Sequence, residues 1–124
     1  MFDNLDPGTR YVMYGVMECY DTLTKLCAAF PVPYILPRAL TKDYWPRRIE
    51  AVARLSEVCY ENPGLSYEVR DTLKAACMNW LAAADLLTIQ VRTPERYRVE
   101  SIRGVLLFAE DYIRDAHKLL DDGS

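Results

Sequence analysis

The sequence predicts an all-α protein, an up-down-up-down antiparallel four-helix bundle that forms a single domain over residues 1–124. Apolar residues recur every three or four positions in four long segments, and capping and turn signals separate these segments. No stretch alternates apolar and polar residues as a half-buried strand would. A chain of 124 residues that is 51% hydrophobic can bury one ordinary core and is too short for two.

The first helix is predicted over about residues 7–30. Asp6 supplies a capping carboxylate, and Pro7 occupies the first helical position, where its missing N–H costs nothing. Pro31 ends the helix. The stretch from 31 to 37 reads PVPYILP, and three prolines in seven residues exclude a helix and a central strand. We expect this stretch to be an extended connector that crosses the end of the bundle. The buried face of the first helix is predicted to contain Met13, Val16, Tyr20, Leu23, Cys27 and Phe30.

The second and third helices are predicted over about residues 43–61 and 66–91. The turn triplet Asn62-Pro63-Gly64 separates them, and Ser66 can cap the third helix. The buried face of the second helix is predicted to contain Trp45, Ile49, Val52, Leu55 and Cys59. The buried face of the third is predicted to contain Val69, Leu73, Ala76, Trp80, Ala83 and Leu87.

The fourth helix is predicted over about residues 94–120. Thr93 is expected to cap it, with Pro94 at the first position and Glu95 favourably placed at the positive end of the helix dipole. Its buried face is predicted to contain Ile102, Val105, Ala109, Tyr112, Ala116 and Leu119, and Leu106, Ile113 and Leu120 widen this stripe. Because the junctions before the third and fourth helices are short, both helix pairs should be antiparallel hairpins.

The sequence shows few residues suited to catalysis. His117 is the single histidine, and the residue three positions before it is Arg114, so the Glu-x-x-His motif of di-iron bundles is absent. Cys27, Cys59 and Cys77 fall on or beside buried stripes, whereas Cys19 lies off its stripe and is expected to be more exposed. The sequence therefore predicts a protein that is not an enzyme and has no metal or other cofactor.

Charge and hydropathy predict a cytoplasmic protein that does not enter a membrane. Stretches without a charged residue, such as 75–84, are much shorter than the roughly 20 residues of a membrane span. The N-terminal residues lack the pattern of a signal peptide, and the four cysteines show no CxxC pair. Fifteen basic and eighteen acidic residues exclude a polycation, although arginines are concentrated in the middle of the chain. These arginines lie on solvated helix faces or form a local anion-binding patch.

Several aromatic residues do not fall on the buried stripes. A single bundle cannot easily bury them, and aromatic residues together with arginine are enriched at protein–protein interfaces. We therefore expect a homo-oligomer or a complex with a protein partner. The residues predicted to form the interface are Tyr11, Tyr14, Tyr44, Tyr97 and Phe108.

Three features of the layout resemble a known family. Phe30-Pro31 closes the first helix, a crossing leads to Arg38, and Thr93-Pro94 opens the fourth helix. Over about residues 11–120, these marks and their spacing resemble the accessory variability determinant of diversity-generating retroelements. That family is related to the four-helix bundle proteins encoded within ribosomal RNA intervening sequences.

The resemblance implies a non-catalytic, ring-forming bundle that binds a reverse transcriptase and its template RNA. Basic residues would then contact phosphates, through an interaction that weakens steeply with salt. The arginines that would do so are Arg38, Arg47, Arg48, Arg54, Arg92, Arg96 and Arg98.

Two other functions stay open from the sequence. A small phage or mobile-element inhibitor or adaptor could use the aromatic and arginine side chains to bind one host protein. A magnesium-dependent helical nucleotide hydrolase could instead use Glu57, Glu61 and Asp85 as metal ligands.

Overall fold

The computed structural model describes residues 5–31, 33–37, 45–62 and 64–122, and these form four α-helices. The helices are α1 (Pro7–Ala28), α2 (Trp45–Val58), which continues as a 3-10 turn (Cys59–Glu61), α3 (Tyr67–Arg92) and α4 (Arg96–Asp121). No strand occurs within the described ranges. The predicted all-α four-helix bundle is therefore confirmed. Two predicted contact residues, Arg38 and Tyr44, lie outside the described residues.

Two of the predicted helix starts are confirmed by their capping contacts. The backbone N–H of Thr9 donates to the Asp6 carboxylate at 2.8 Å, and the Thr9 hydroxyl donates to its other oxygen at 2.8 Å. These hydrogen bonds from Thr9 favour the charged form and lower the pKa of Asp6 below its ordinary value. The Ser66 hydroxyl accepts from the backbone N–H of Val69 at 3.2 Å and begins α3 in the same way.

The predicted start of α4 is wrong by two residues. The helix begins at Arg96, and its N-cap Glu95 makes no side-chain capping bond. The backbone N–H of Thr93 donates to the carbonyl of Ile89 at 2.8 Å. Thr93 therefore caps the C-terminus of α3 and does not begin α4.

The core lies where the apolar stripes of the helices meet. Every residue predicted for the buried faces of α1 and α3 is buried. On α4 the buried stripe is rotated by about one position, so that Val105, Tyr112 and Leu119 are only half-buried. The rotation arises because α4 packs against α1 on one side and α3 on the other. The buried residues of α4 are Ile102, Leu106, Ala109, Ile113 and Ala116.

Helix α3 runs antiparallel to α1. The Trp80 indole N–H donates to the carbonyl of Val16 at 3.0 Å, and the Gln90 side-chain amide donates to the Thr9 hydroxyl at 2.9 Å. The end of α3 therefore lies beside the start of α1.

Helix α4 runs parallel to α1. A β-carbon at Gly8 would lie 3.4 Å from Val99, and one at Gly15 would lie 3.1 Å from Leu106. Because residue numbers rise together along both helices, α4 is parallel to α1 and antiparallel to α3. The predicted α3–α4 hairpin is therefore present.

Helix α2 also runs parallel to α1, which corrects the predicted up-down-up-down order. Its first residue, Trp45, donates from the indole N–H to the Thr88 hydroxyl at 3.4 Å, near the end of α3. The Cys59 thiol, just after α2, lies 3.7 Å from the carbonyl of Arg70, near the start of α3. The order of helix directions is therefore up-up-down-up.

The connector after α1 explains this order. The backbone N–H of Tyr34 donates to the carbonyl of Cys27 at 3.1 Å, and the Tyr20 hydroxyl donates to the carbonyl of Pro37. Residues 33–37 thus run back along α1 and bury Leu36 against it, instead of crossing the end of the bundle. This path returns the chain toward the end where α1 began.

Candidate functional site

The acidic residues that could have held a metal do not converge. Glu57 and Glu61 lie at the end of α2 and in the 3-10 turn, whereas Asp85 lies on α3 near the level of Trp45, at the start of α2. All three are exposed. Among the described residues, no group of three or more histidine, cysteine, aspartate or glutamate side chains could hold a metal ion.

The four cysteines are buried core residues, and none of them is in a disulfide. Burial raises the pKa of Cys19 and Cys27 to about 12, and it raises the pKa of Cys77 as well. A thiol with such a pKa stays neutral near pH 7 and is a poor nucleophile. The expectation that Cys19 is more exposed is wrong, because α4 covers this side of α1.

A buried polar network joins the start of α1 to the α3–α4 junction. The Gln90 side-chain oxygen accepts from the backbone N–H of Glu95 at 3.0 Å and from the Arg98 guanidinium at 3.4 Å. Its amide nitrogen donates to Thr9, whose hydroxyl donates in turn to Asp6. Gln90 therefore satisfies the N-cap amide of α4, near the start of the helix that Thr93 was predicted to cap. The sequence signal was a polar residue three positions after Leu87 on the buried stripe.

We expect Gln90→Leu to lower the free energy of unfolding by about 1–3 kcal/mol, because it removes the hydrogen bonds that the buried Gln90 side chain makes to Thr9 and to the backbone N–H of Glu95. Urea denaturation followed by circular dichroism measures this change. Asn79→Leu is a matched control, since Asn79 bonds only within its own helix, to the carbonyl of Ala75. Equal stability of the two variants would contradict a structural role for the network.

Two of the arginines predicted to bind nucleic acid make contacts within the protein. Arg48 is only 7% exposed, and its guanidinium lies over the Tyr20 ring at 4.7 Å. Its Nε has no hydrogen-bond partner among the described residues. Arg98 donates to Gln90, to the carbonyl of Thr93 and to the Tyr97 hydroxyl. Burial removes Arg48 from the arginines that can reach a phosphate in this conformation, and Arg98 is engaged in holding the α3–α4 junction.

Four of the predicted arginines remain exposed on the described helices. Arg47 and Arg54 lie on α2, whereas Arg92 ends α3 and Arg96 begins α4. Trp45, two residues before Arg47, bonds to Thr88, one turn before Arg92, so Arg47, Arg92 and Arg96 lie at the same end of the bundle. Arg54 lies two turns further along α2.

The outer face of α4 carries the largest exposed apolar side chains of that helix. Tyr97, Leu107 and Phe108 are 65%, 62% and 61% exposed, and Gly104 lies between them. We call these four residues the α4 outer face. Tyr97 and Phe108 were predicted as interface residues, and Leu107 was missed. The signal for Leu107 was the run Leu106-Leu107-Phe108, since three consecutive apolar residues cannot all face the core of a helix.

Exposed aromatic residues also lie on α1, which packs against α4. Tyr11 and Tyr14 are exposed on α1, and the Arg103 guanidinium of α4 lies 5.7 Å from the centre of the Tyr11 ring. The structure thus places four of the five predicted interface residues on neighbouring helices α1 and α4. Their role in binding stays a prediction.

Comparison with known proteins identifies no relative: the chain matches no protein-family model, no curated protein and no solved structure. The resemblance to the accessory variability determinant therefore stays a prediction. Among the described residues, no helix is both long and apolar enough to cross a bilayer.

Proposed function

We propose that this protein is a non-catalytic helical adaptor that associates with itself and binds a protein partner. The observation that supports this most is the α4 outer face, where three large apolar side chains are each more than half exposed on one helix. A soluble monomer gains nothing from exposing such a surface, and contiguous apolar patches commonly mark protein-binding sites. Tyr11 and Tyr14 are further exposed aromatic residues, on the neighbouring helix α1.

Within this proposal, the protein partner is a reverse transcriptase and RNA is a further ligand, as the resemblance implies. Exposed Arg47, Arg54, Arg92 and Arg96 support the RNA component, because arginine forks suit phosphate contacts. The protein component has stronger support, since Arg48 is buried and Arg98 is engaged at the α3–α4 junction.

Light scattering after size-exclusion chromatography tests the proposal. At micromolar concentration we expect a mass that is a multiple of 14.3 kDa. A strictly monomeric protein would contradict self-association. Single-stranded RNA added to the same sample should increase the mass at low salt and lose this effect at high salt. An unchanged mass at low salt would remove RNA from the proposal.

A further inference from the structure

We propose that the α4 outer face binds a second copy of this chain, with the two α4 helices packed antiparallel about a twofold axis at Gly104. This inference rests on the proposed function, because it names the surface and the partner of the self-association. Gly104, the charge distribution of α4 and the register of its exposed residues support it.

Gly104 has no role within the monomer that would explain it. A β-carbon at this position would meet no atom within 4 Å. Glycine inside a helix is less stable than alanine by about 0.5–1 kcal/mol, so an open position favours a residue with a side chain. A glycine between Leu107 and Ser101 does, however, allow the backbone of another helix to approach closely. The second helix would cross α4 at this point.

The charges of α4 are complementary to those of a second, antiparallel α4. Within α4, residues 96–103 contain three arginines and one glutamate, whereas residues 110–121 contain four carboxylates, one arginine and one lysine. Antiparallel packing places the basic half of each helix against the acidic half of the other. Parallel packing would place like charges together, which is unfavourable. The charge distribution therefore favours a second copy in the antiparallel direction.

The register about Gly104 brings complementary side chains to the same level. Residues equally far before and after the axis face each other, so Arg96 lies level with Tyr112 of the second copy, next to its Asp111. Within one chain Asp111 pairs with Arg114 at 3.0 Å, and both side chains are exposed, so Arg96 of the second copy would join this ion pair. Phe108 lies within one turn of Gly104 and Tyr97 of the second copy, where its ring can be buried. Such an isologous contact closes after two copies, in contrast to the ring that the resemblance implies.

A cysteine on the axis tests this arrangement. In Gly104→Cys the two introduced thiols face each other across the twofold axis, and within one chain the new side chain clashes with no atom. The four native cysteines are buried, so the introduced thiol is the one that reacts. Under mild oxidation we expect a disulfide-linked dimer on a non-reducing gel. The control Lys25→Cys, on an exposed part of α1, should cross-link at least about tenfold more slowly.

A charge reversal tests the register. Arg96→Glu or Asp111→Arg alone should raise the dimer Kd by roughly tenfold, because the twofold axis repeats each unfavourable contact. The double variant should recover most of the wild-type affinity. Recovery would not occur if each charge acted only on its own helix.

The results separate failure of this inference from failure of the proposed function. If wild type is dimeric and Gly104→Cys cross-links no faster than Lys25→Cys, self-association uses another surface. The inference is then wrong, while the proposed function stands. If wild type is monomeric, both the inference and the proposed self-association are wrong. The α4 outer face would then be a surface for binding a different protein.

Discussion

Replacing Trp80 with alanine is expected to lower the free energy of unfolding by about 3–5 kcal/mol, a large part of the stability of a small domain. Trp80 is fully buried on α3, and its indole N–H donates to the carbonyl of Val16 on α1. Its ring also lies 5.5 Å from Tyr20 and 5.8 Å from Trp45, measured between ring centres. One side chain thus links α1, α2 and α3, and its loss opens a cavity where the three helices meet.

Trp45→Ala is the matched control for this experiment. Trp45 is only half-buried at the start of α2, so its loss should cost clearly less than the loss of Trp80. Urea denaturation followed by circular dichroism measures both variants, independently of the tryptophan fluorescence that they change. A loss below about 1 kcal/mol for Trp80→Ala would contradict the packing described for this core.

Phe108→Ser is expected to weaken self-association by at least about a hundredfold without unfolding the protein. Burial of one phenylalanine side chain contributes about 1.5–3 kcal/mol, and a change of 1.4 kcal/mol is a factor of ten in Kd. In a twofold dimer both copies lose this contact, so the effect is counted twice. Because Phe108 is 61% exposed in the monomer, its replacement should change the free energy of unfolding by less than about 0.5 kcal/mol.

Ile35→Ser removes a comparable exposed apolar side chain from another part of the surface. Ile35 is 75% exposed on the connector, which contacts α1 near Cys27 and Tyr20. If hydrophobicity alone caused association, this variant would weaken it as well. We expect its Kd to equal that of wild type.

The helices could be predicted from the sequence because their signals are local. Asp6 and Ser66 satisfy the first N–H groups of their own helices, and the apolar spacing identifies the faces that meet. The direction of α2 could not be predicted in this way. A short junction forces the next helix to reverse, but a long connector can cross the end of the bundle or return along α1. The contacts of Tyr34 and Pro37 with α1 decide between these paths, and they are long-range.

The residues of the candidate site show the same difference between local and long-range signals. Phe108 and Tyr97 could be predicted to face outward because a side chain's angle on a helix follows from its sequence position. Whether the side chains of Arg48, Gln90 and Cys19 are buried depends on which neighbouring helix covers them. The Arg48 guanidinium of α2 lies over the Tyr20 ring of α1, a contact that depends on the direction of α2. An error in helix direction therefore leads to errors in assigning surface arginines.

Sedimentation equilibrium of wild type, Phe108→Ser and Ile35→Ser over a range of micromolar concentrations tests most directly whether the α4 outer face causes self-association. We expect the masses of wild type and Ile35→Ser to rise with concentration from 14.3 kDa toward twice that value. Phe108→Ser should stay near the monomer mass over the same range. Equal association of all three proteins, or a wild type that remains monomeric throughout, would contradict the account.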